Sequence, residues 1–191
     1  IITDIKNEIR DNFPYKVMYV ENSEADDIIA TLVKLREEDK YLIISGDKDF
    51  IQLQHYGDVY QWSPFLKTFI GEQEDPIKFL RTQIIKGDRS DGVPNILSGD
   101  DIFTTDQRQK PITKQKLEEW SNLENIPLGS ETEKNYKRNK KLIDLSMIPL
   151  TIEKSIINSF KNYKVNDRSL LLNYFIKNKL KGLIENINDF W

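Results

Sequence analysis

Ile2, Ile5 and Ile9 alternate with Asp4, Lys6, Glu8 and Arg10 at the start of the chain. That spacing predicts an amphipathic helix already under way at residue 1. Lys16–Val20 (KVMYV) reads as a short buried strand. Ser23 reads as the N-cap of a helix over 24–38, with Ile28, Ile29, Leu32, Val33 and Leu35 as its apolar stripe. Tyr41–Ser45 (YLIIS) is a second apolar strand that ends at Gly46. Strand, helix and strand in this order predict a βαβ unit and a parallel sheet. Residues 58–70 hold two more extended runs, VYQWS and LKTFI, joined near Pro64 and Phe65. Pro76 opens a helix that runs to Lys86 and stops at Gly87.

The pattern then changes. Residues 92–112 are irregular and rich in Gly, Pro, Ser and Asp. Helical periodicity returns over 113–121, 131–145, 151–163 and 167–187, with Pro127, Pro149 and Asn166 as breaks. The expected fold is α/β: a mostly parallel sheet flanked by helices over residues 1–88, followed by a helical subdomain over 89–191.

Charge divides the same way. The formal net charge is −3 over 191 residues, which by itself argues against a nucleic-acid binder. Yet residues 1–99 carry 18 acids and 12 bases, and residues 100–191 carry 13 acids and 16 bases. An acidic half and a basic half suggest two jobs. Cysteine is absent and there is one histidine. Thiolate chemistry, disulfides and multi-histidine metal sites are therefore excluded. No apolar run approaches the roughly 18 residues of a membrane span. The expectation is a cytoplasmic, monomeric protein with no membrane partner.

Three acidic clusters lie at comparable places. Glu24, Asp26 and Asp27 open a helix after a strand, Asp47 and Asp49 follow the YLIIS strand, and Asp88 and Asp91 follow the 76–86 helix. Each has a structural reading as well. First-turn acids complement a helix dipole, Ser23 with Asp26 resembles a capping box, and Asp residues shape turns. Taken together they point elsewhere, because ligands bind at the carboxyl ends of parallel strands. Seven carboxylates at one sheet edge repel one another unless cations compensate them. Oxygen ligands without His or Cys suit Mg²⁺ or Mn²⁺. Several carboxylates around two such ions is the arrangement that hydrolyses phosphodiesters. An EF-hand does not fit, since Ile51 and Gln52 fall where a ligand and a Gly belong. There is no Walker motif and no GxGxxG.

SEADDIIATL, LIISGDKDFIQL and IIKGDRSDGVPNI, in this order and spacing, resemble the structure-specific 5′ nucleases. That family takes in flap endonucleases, the 5′-nuclease domains of bacterial DNA polymerases and phage 5′-to-3′ exonucleases. QWSP at 61–64 and NYKRNKKLIDLSMIP at 135–149 resemble its phage ribonuclease H branch. The resemblance implies two Mg²⁺ or Mn²⁺ ions held by Glu24, Asp26, Asp27, Asp47, Asp49, Asp88 and Asp91. Asp27, Asp47, Asp49 and Asp91 would be the catalytic set. It also implies substrates of DNA and RNA–DNA hybrid with 5′ ends or flaps, and primer removal in replication. A single-stranded DNA-binding protein or a sliding clamp would be the partner. Gly92-Val93-Pro94 resembles the entry to a helix–hairpin–helix element that grips duplex backbone with a bound K⁺. The usual Gly-Ile-Gly turn is replaced by Asn95-Ile96-Leu97-Ser98-Gly99, which leaves a K⁺ site of the family type without its glycines.

Lys86 and Arg89 flank the third acidic cluster, and Lys110, Lys114 and Lys116 follow the loop; all five are candidate phosphate contacts. Lys134, Lys137, Arg138, Lys140 and Lys141 form a basic run that is either a solvated helix face or a further contact. His55 reads as structural or exposed. Trp62, Trp120, Trp191, Tyr136, Tyr163 and Tyr174 read as packing residues. The family's two leading strands, each carrying an Asp ligand, and its basic arch have no counterpart here. The chain thus reads as the downstream part of a 5′ nuclease, weak or inactive alone. A non-catalytic DNA-binding or replication-scaffold module and a PIN-type ribonuclease stay open as alternatives. With the seven acids set aside, the net charge turns from −3 to +4, and the nucleic-acid reading no longer conflicts with composition.

Overall fold

The computed structural model describes all residues except 36–38, 73–74, 106, 123–128 and 191. The last residues of the second expected helix, Pro127 and Trp191 lie outside the described residues. The elements in chain order are α1 (Ile2–Asn12), α2 (Ala25–Leu35), β1 (Tyr41–Ile44), a 3₁₀ segment (Lys48–Tyr56), β2 (Val59–Ser63) and β3 (Thr68–Phe69). They continue with α3 (Pro76–Lys86), α4 (Lys114–Ser121), α5 (Ser130–Ile143), α6 (Leu150–Asn162), α7 (Arg168–Lys177) and α8 (Lys181–Glu185). Short 3₁₀ turns at Leu145–Met147 and Ile187–Phe190 complete the described secondary structure.

The chain divides into two compact units, Ile1–Ser23 with Lys154–Trp191, and Glu24–Glu153. In the first, α1 packs on α7. Phe13 lies edge-on to Tyr174 and Phe175, and Phe175 lies edge-on to Phe190. Leu171 and Phe175 are fully buried. Asn166 Nδ2 donates to the Arg10 and Phe13 carbonyls at 2.6 and 3.2 Å, closing the end of α1. The expected helix α1 forms, but Ile2 and Ile5 of its apolar stripe stay exposed. The expected helix over 167–187 is broken. Lys179 adopts φ +56°, and Leu180 N–H donates back to Phe175 O. This 6→1 bond ends a helix in the Schellman manner.

In the second unit, β1 and β2 pair in parallel, with Tyr41 opposite Val59 and Ile44 opposite Trp62. β3 adds antiparallel to β2. The sheet is therefore mixed and three-stranded in the order β1-β2-β3. Lys16–Val20 forms no strand. An apolar run supplies propensity, but a strand also needs a ladder partner, and this run has none among the described residues. The parallel crossover exists one element later, from β1 through the 3₁₀ segment to β2. Ile43 and Val59 face a core with Ala30, Val33, Phe50, Leu53 and Ile148. The opposite face leaves Leu42, Ile44 and Tyr60 exposed.

A second cluster, Ile85, Ile96 and Trp120 with Leu97, Ile112, Leu117 and Tyr136, ties α3, α4 and α5 together. The starts of α3 and α4 are capped by side chains. Asp75 Oδ1 accepts from Ile77 and Lys78 N–H, and Thr113 Oγ1 accepts from Lys116 N–H. Between α3 and α4 the chain is irregular among the described residues. It is pinned by side chains of α5. Asn139, fully buried, donates to Ile84 O and Pro94 O at 2.8 Å each. Asn135 donates to Ile96 O and Ser98 O at 3.1 Å. Replacing Asn139 by Ala strips these buried carbonyls of a donor, and urea denaturation is expected to show a loss of about 2 kcal/mol. A loss under about 0.5 kcal/mol would mean that the two carbonyls find other donors.

Candidate metal centre

The first half of the centre grows from the end of β1. Ser45 N–H continues the ladder to Trp62 O at 3.0 Å, and the chain then turns. Asp47 caps the 3₁₀ segment, its Oδ1 accepting from Asp49 N–H at 3.0 Å. Gln61, buried in the middle of β2, donates through Nε2 to the Ser45 and Asp47 carbonyls. That amide holds the Asp47–Asp49 turn against the sheet. The sequence pattern assigns Gln61 no role of its own; its only local signal is an amide in the middle of the VYQWS strand. The same turn keeps Asp49 half-buried.

The second half follows α3, which packs against the 3₁₀ segment. Gly87 turns the chain at φ +69°, and Asp88 bridges to Val93, whose N–H donates to Asp88 O at 2.7 Å. Asp88 Oδ1 also accepts from Ser90 N–H and the Ser90 hydroxyl. One carboxylate oxygen each of Asp49, Asp88 and Asp91 lies within 4.8 Å of the other two. Residues far apart in sequence thus present three hard oxygen donors to one point.

The electrostatics carry the same signature. Burial, then the charges of Asp47, Asp88, Asp26 and Asp91, pushes the Asp49 carboxyl up to about 6. Asp26, in the first turn of α2, is also raised, by burial first and then by Asp47, Glu24, Asp27 and Asp91. Asp88 goes the other way, because the Ser90 hydroxyl stabilises its charged form. Among the described residues no Lys or Arg forms an ion pair with any of these acids.

The sequence-derived candidates separate on this geometry. Asp49, Asp88 and Asp91 converge, and Asp26 and Asp47 act on Asp49 through their charge. Asp27 acts on Asp26 through its charge and also serves the helix start, its Oδ2 accepting from Glu24 N–H at 2.9 Å. This is one half of a capping box with Glu24 as N-cap. Ser23 is not the cap; its hydroxyl donates to Val20 O. Glu24 lies outside the converging trio. Lys86, Arg89, Lys110 and Lys114 are exposed. Lys116 is exposed too, with its ammonium 4.4 Å above the Trp120 ring. In the basic run, Arg138 turns inward to Pro94 O and pairs with Asp100, and Lys137 pairs with Glu133. Lys134, Lys140 and Lys141 stay exposed. His55 Nδ1 meets Gln52 O, and its ring packs on Tyr56.

Two family models cover nearly the whole chain. One, described as the C-terminal part of T4 RNase H, matches residues 76–190. The other, the N-terminal resolvase-like domain of 5′-3′ exonucleases, matches residues 2–79. Ribonuclease H of Enterobacteria phage T4 is 37% identical over 193 residues, covering 96% of this chain. The chain spans 63% of that relative's length. DNA polymerase I of Streptococcus pneumoniae (strain ATCC BAA-255 / R6) is 34% identical over 101 residues, 47% of this chain and 12% of the polymerase.

Proposed function

This chain belongs to the T4 RNase H family of 5′-3′ exonucleases and flap nucleases, and from that premise we propose that it is the metal-holding part of a 5′ nuclease. Its reaction is hydrolysis of phosphodiesters at 5′ ends or flaps of DNA and RNA–DNA hybrids, as primer removal in replication requires. The observation that carries this reading is the uncompensated convergence of Asp49, Asp88 and Asp91 oxygens within 4.8 Å. Such a donor set fits Mg²⁺ or Mn²⁺, and Asp26 and Asp47, whose charges act on Asp49, would serve a second ion. When bound, the ions supply Lewis acidity, which makes water nucleophilic at neutral pH and screens charge building on the phosphoryl oxygens.

The chain's own residues do the rest. Gln61 and the Asp47 cap orient Asp49, and Ser90 keeps Asp88 ionised. Lys86 and Arg89 receive the backbone beside the scissile phosphate, and Lys110, Lys114 and Lys116 receive it further along. Asp27 orders the helix start that carries Asp26. The irregular segment after Gly92 stands in this reading for a diverged helix–hairpin–helix, without a K⁺ site. We divide the catalytic part from the DNA-binding part at residues 88 and 89. The family models, which overlap at 76–79, support a division near there; the compact units divide the chain at other points. No helix among the described residues is long and apolar enough to cross a membrane.

The chain alone is expected to cleave weakly. Its sheet leaves Leu42, Ile44 and Tyr60 uncovered, whereas parallel strands are ordinarily buried on both faces. The test is a 5′-flap cleavage assay with Mg²⁺, using this chain alone and this chain joined to the part of the phage relative that it does not span. The joined protein should cleave at least about 10²-fold faster, in keeping with what one set of preorganised groups contributes to catalysis, and EDTA should abolish it. Full turnover by the chain alone would overturn the dependence, and inactivity of the joined protein would overturn the nuclease reading.

A further inference from the structure

In the sequence Arg138 is one of five basic residues on α5, yet its side chain is only 19% exposed. Its guanidinium donates to four acceptors. They are Pro94 O at 2.9 Å, Asn139 Oδ1 at 2.9 Å, Asn135 Oδ1 at 3.3 Å and Asp100 Oδ1. By taking both amide oxygens, Arg138 turns the two buried NH₂ groups toward the backbone. Asn139 Nδ2 bridges Ile84 O and Pro94 O, and Asn135 Nδ2 bridges Ile96 O and Ser98 O. Carbonyls from the last turn of α3 and from the segment after Gly92 are thereby gathered on one cluster of side chains. Gathered backbone carbonyls are also how K⁺ is held. Here all four already accept from N–H donors, and a guanidinium charge stands among them.

The segment passes this order on. Asn95 Nδ2 donates to Lys110 O at 2.9 Å, and Lys110 N–H donates to Ser98 Oγ at 3.1 Å. The Ser98 hydroxyl donates to Asn95 Oδ1 at 3.0 Å and closes the ring. Lys110 is thus gripped at both backbone groups by a segment that α5 holds. Its ammonium is exposed, as is that of Lys86, two residues beyond Ile84. Among the described residues neither lysine is in an ion pair.

We propose that Arg138 is the resident cation of this segment and a positioning residue for DNA, fixing the backbone that presents Lys110 and Lys86 to duplex phosphates without a bound K⁺. The inference rests on the nuclease reading and deepens it. Only a planar fork of five N–H donors can take two amide oxygens, a carbonyl and a carboxylate at once. A lysine has the charge without the fork. Arg138→Lys therefore separates this role from a solvated cation or a direct phosphate contact, both of which tolerate Lys.

The experiment is fluorescence anisotropy of the full chain with a blunt duplex in EDTA, over a range of salt concentrations. Arg138→Lys should weaken binding roughly tenfold and lower the slope of log affinity against log salt by about one, as loss of one phosphate contact does. Lys110→Ala should weaken the parent similarly but add less than about twofold to Arg138→Lys, since the two changes remove one contact. Arg138→Ala should regain affinity with millimolar ethylguanidinium and not with ethylammonium. The parent should bind equally, within about twofold, in K⁺ and in Li⁺ at one ionic strength; this comparison needs no variant, so it decides even where Arg138→Lys does not fold. Unchanged affinity of Arg138→Lys, additive losses with Lys110→Ala, or a parent that prefers K⁺ roughly tenfold would overturn the role and leave the nuclease reading standing. A parent chain that binds no duplex would refute the nuclease reading, and this role with it.

Discussion

The Asp49→Asn variant is expected to lose Mn²⁺ binding and at least about 10²-fold in metal-dependent cleavage, while its metal-free form is expected to melt higher than the parent at pH 8. The loss follows from removing one of three converging oxygens; changes even in groups behind the ligands cost about 10–100-fold. The gain follows from the carboxyl raised to about 6, against about 3.9 in an unfolded chain. A raised acid holds its proton more tightly in the folded state. Its effect on stability is therefore most favourable below about pH 4, is lost as pH rises to about 6, and stays lost above. The full shift would correspond to about 3 kcal/mol, and solvent screening of a half-buried group reduces this to about 1–2 kcal/mol. Asn carries no charge, so the variant escapes that cost, and the two melting curves converge toward pH 4. Millimolar Mg²⁺ should stabilise the parent by mass action and not the variant. Thermal melts at pH 5 and pH 8, each in EDTA and in Mg²⁺, read the stability effects, and Mn²⁺ titration calorimetry with the flap-cleavage assay reads the losses. A variant that melts lower than the parent in EDTA at pH 8 would show that a favourable partner compensates Asp49.

Gly87→Ala is expected to cost about 3–5 kcal/mol and to weaken metal binding with it. Gly87 sits at φ +69°, ψ 179°, a region essentially closed to residues with a Cβ, which accounts for about 1–3 kcal/mol. A Cβ there would lie 2.3 Å from Val93 O and 2.6 Å from Pro94 C and O. These are backbone atoms, and they cannot give way easily. Pro94 O is held by Asn139 and Arg138, and Val93 N–H by Asp88 O. Overpacking of this kind adds about 1–3 kcal/mol. The shift would pass directly to Asp88, the next residue, and draw its oxygen away from those of Asp49 and Asp91. Denaturant unfolding measures the first effect and Mn²⁺ titration calorimetry the second. A stability change under about 1 kcal/mol would mean that the Val93–Pro94 backbone is free to move.

How much of the site was legible depends on the range of the forces involved. Pro76 announces a helix start, and the periodicity over 113–121 another, because proline's fixed φ and the contacts within a helix are local. YLIIS and VYQWS announce strands because side-chain alternation is local. Asp47-Lys48-Asp49 and Asp88 to Asp91 were recognisable as carboxylate pairs for the same reason. Lys16–Val20 looked equally like a strand, but whether it becomes one depends on a ladder partner that no local pattern reveals. Asp27 and Asp26 are adjacent and alike in sequence, yet the rotation of one helical turn sends Asp27 back to Glu24 N–H and leaves Asp26 among the other acids. Arg138 reads as one more cation in a basic run until the fold brings Pro94 O and Asp100 beneath it.

The sequence by itself determined the chemistry of the donors. It has no cysteine and a single, uninvolved histidine, and its carboxylates follow strand and helix ends, so only hard-cation chemistry was available. The tertiary structure alone decided which carboxylates meet. Packing of α3 on the 3₁₀ segment carries Asp88 and Asp91 to Asp49, and Gln61 fixes the turn that carries Asp49. Convergence to within 4.8 Å is a long-range result of packing. Like charges would oppose it, and burial of the surrounding apolar residues imposes it.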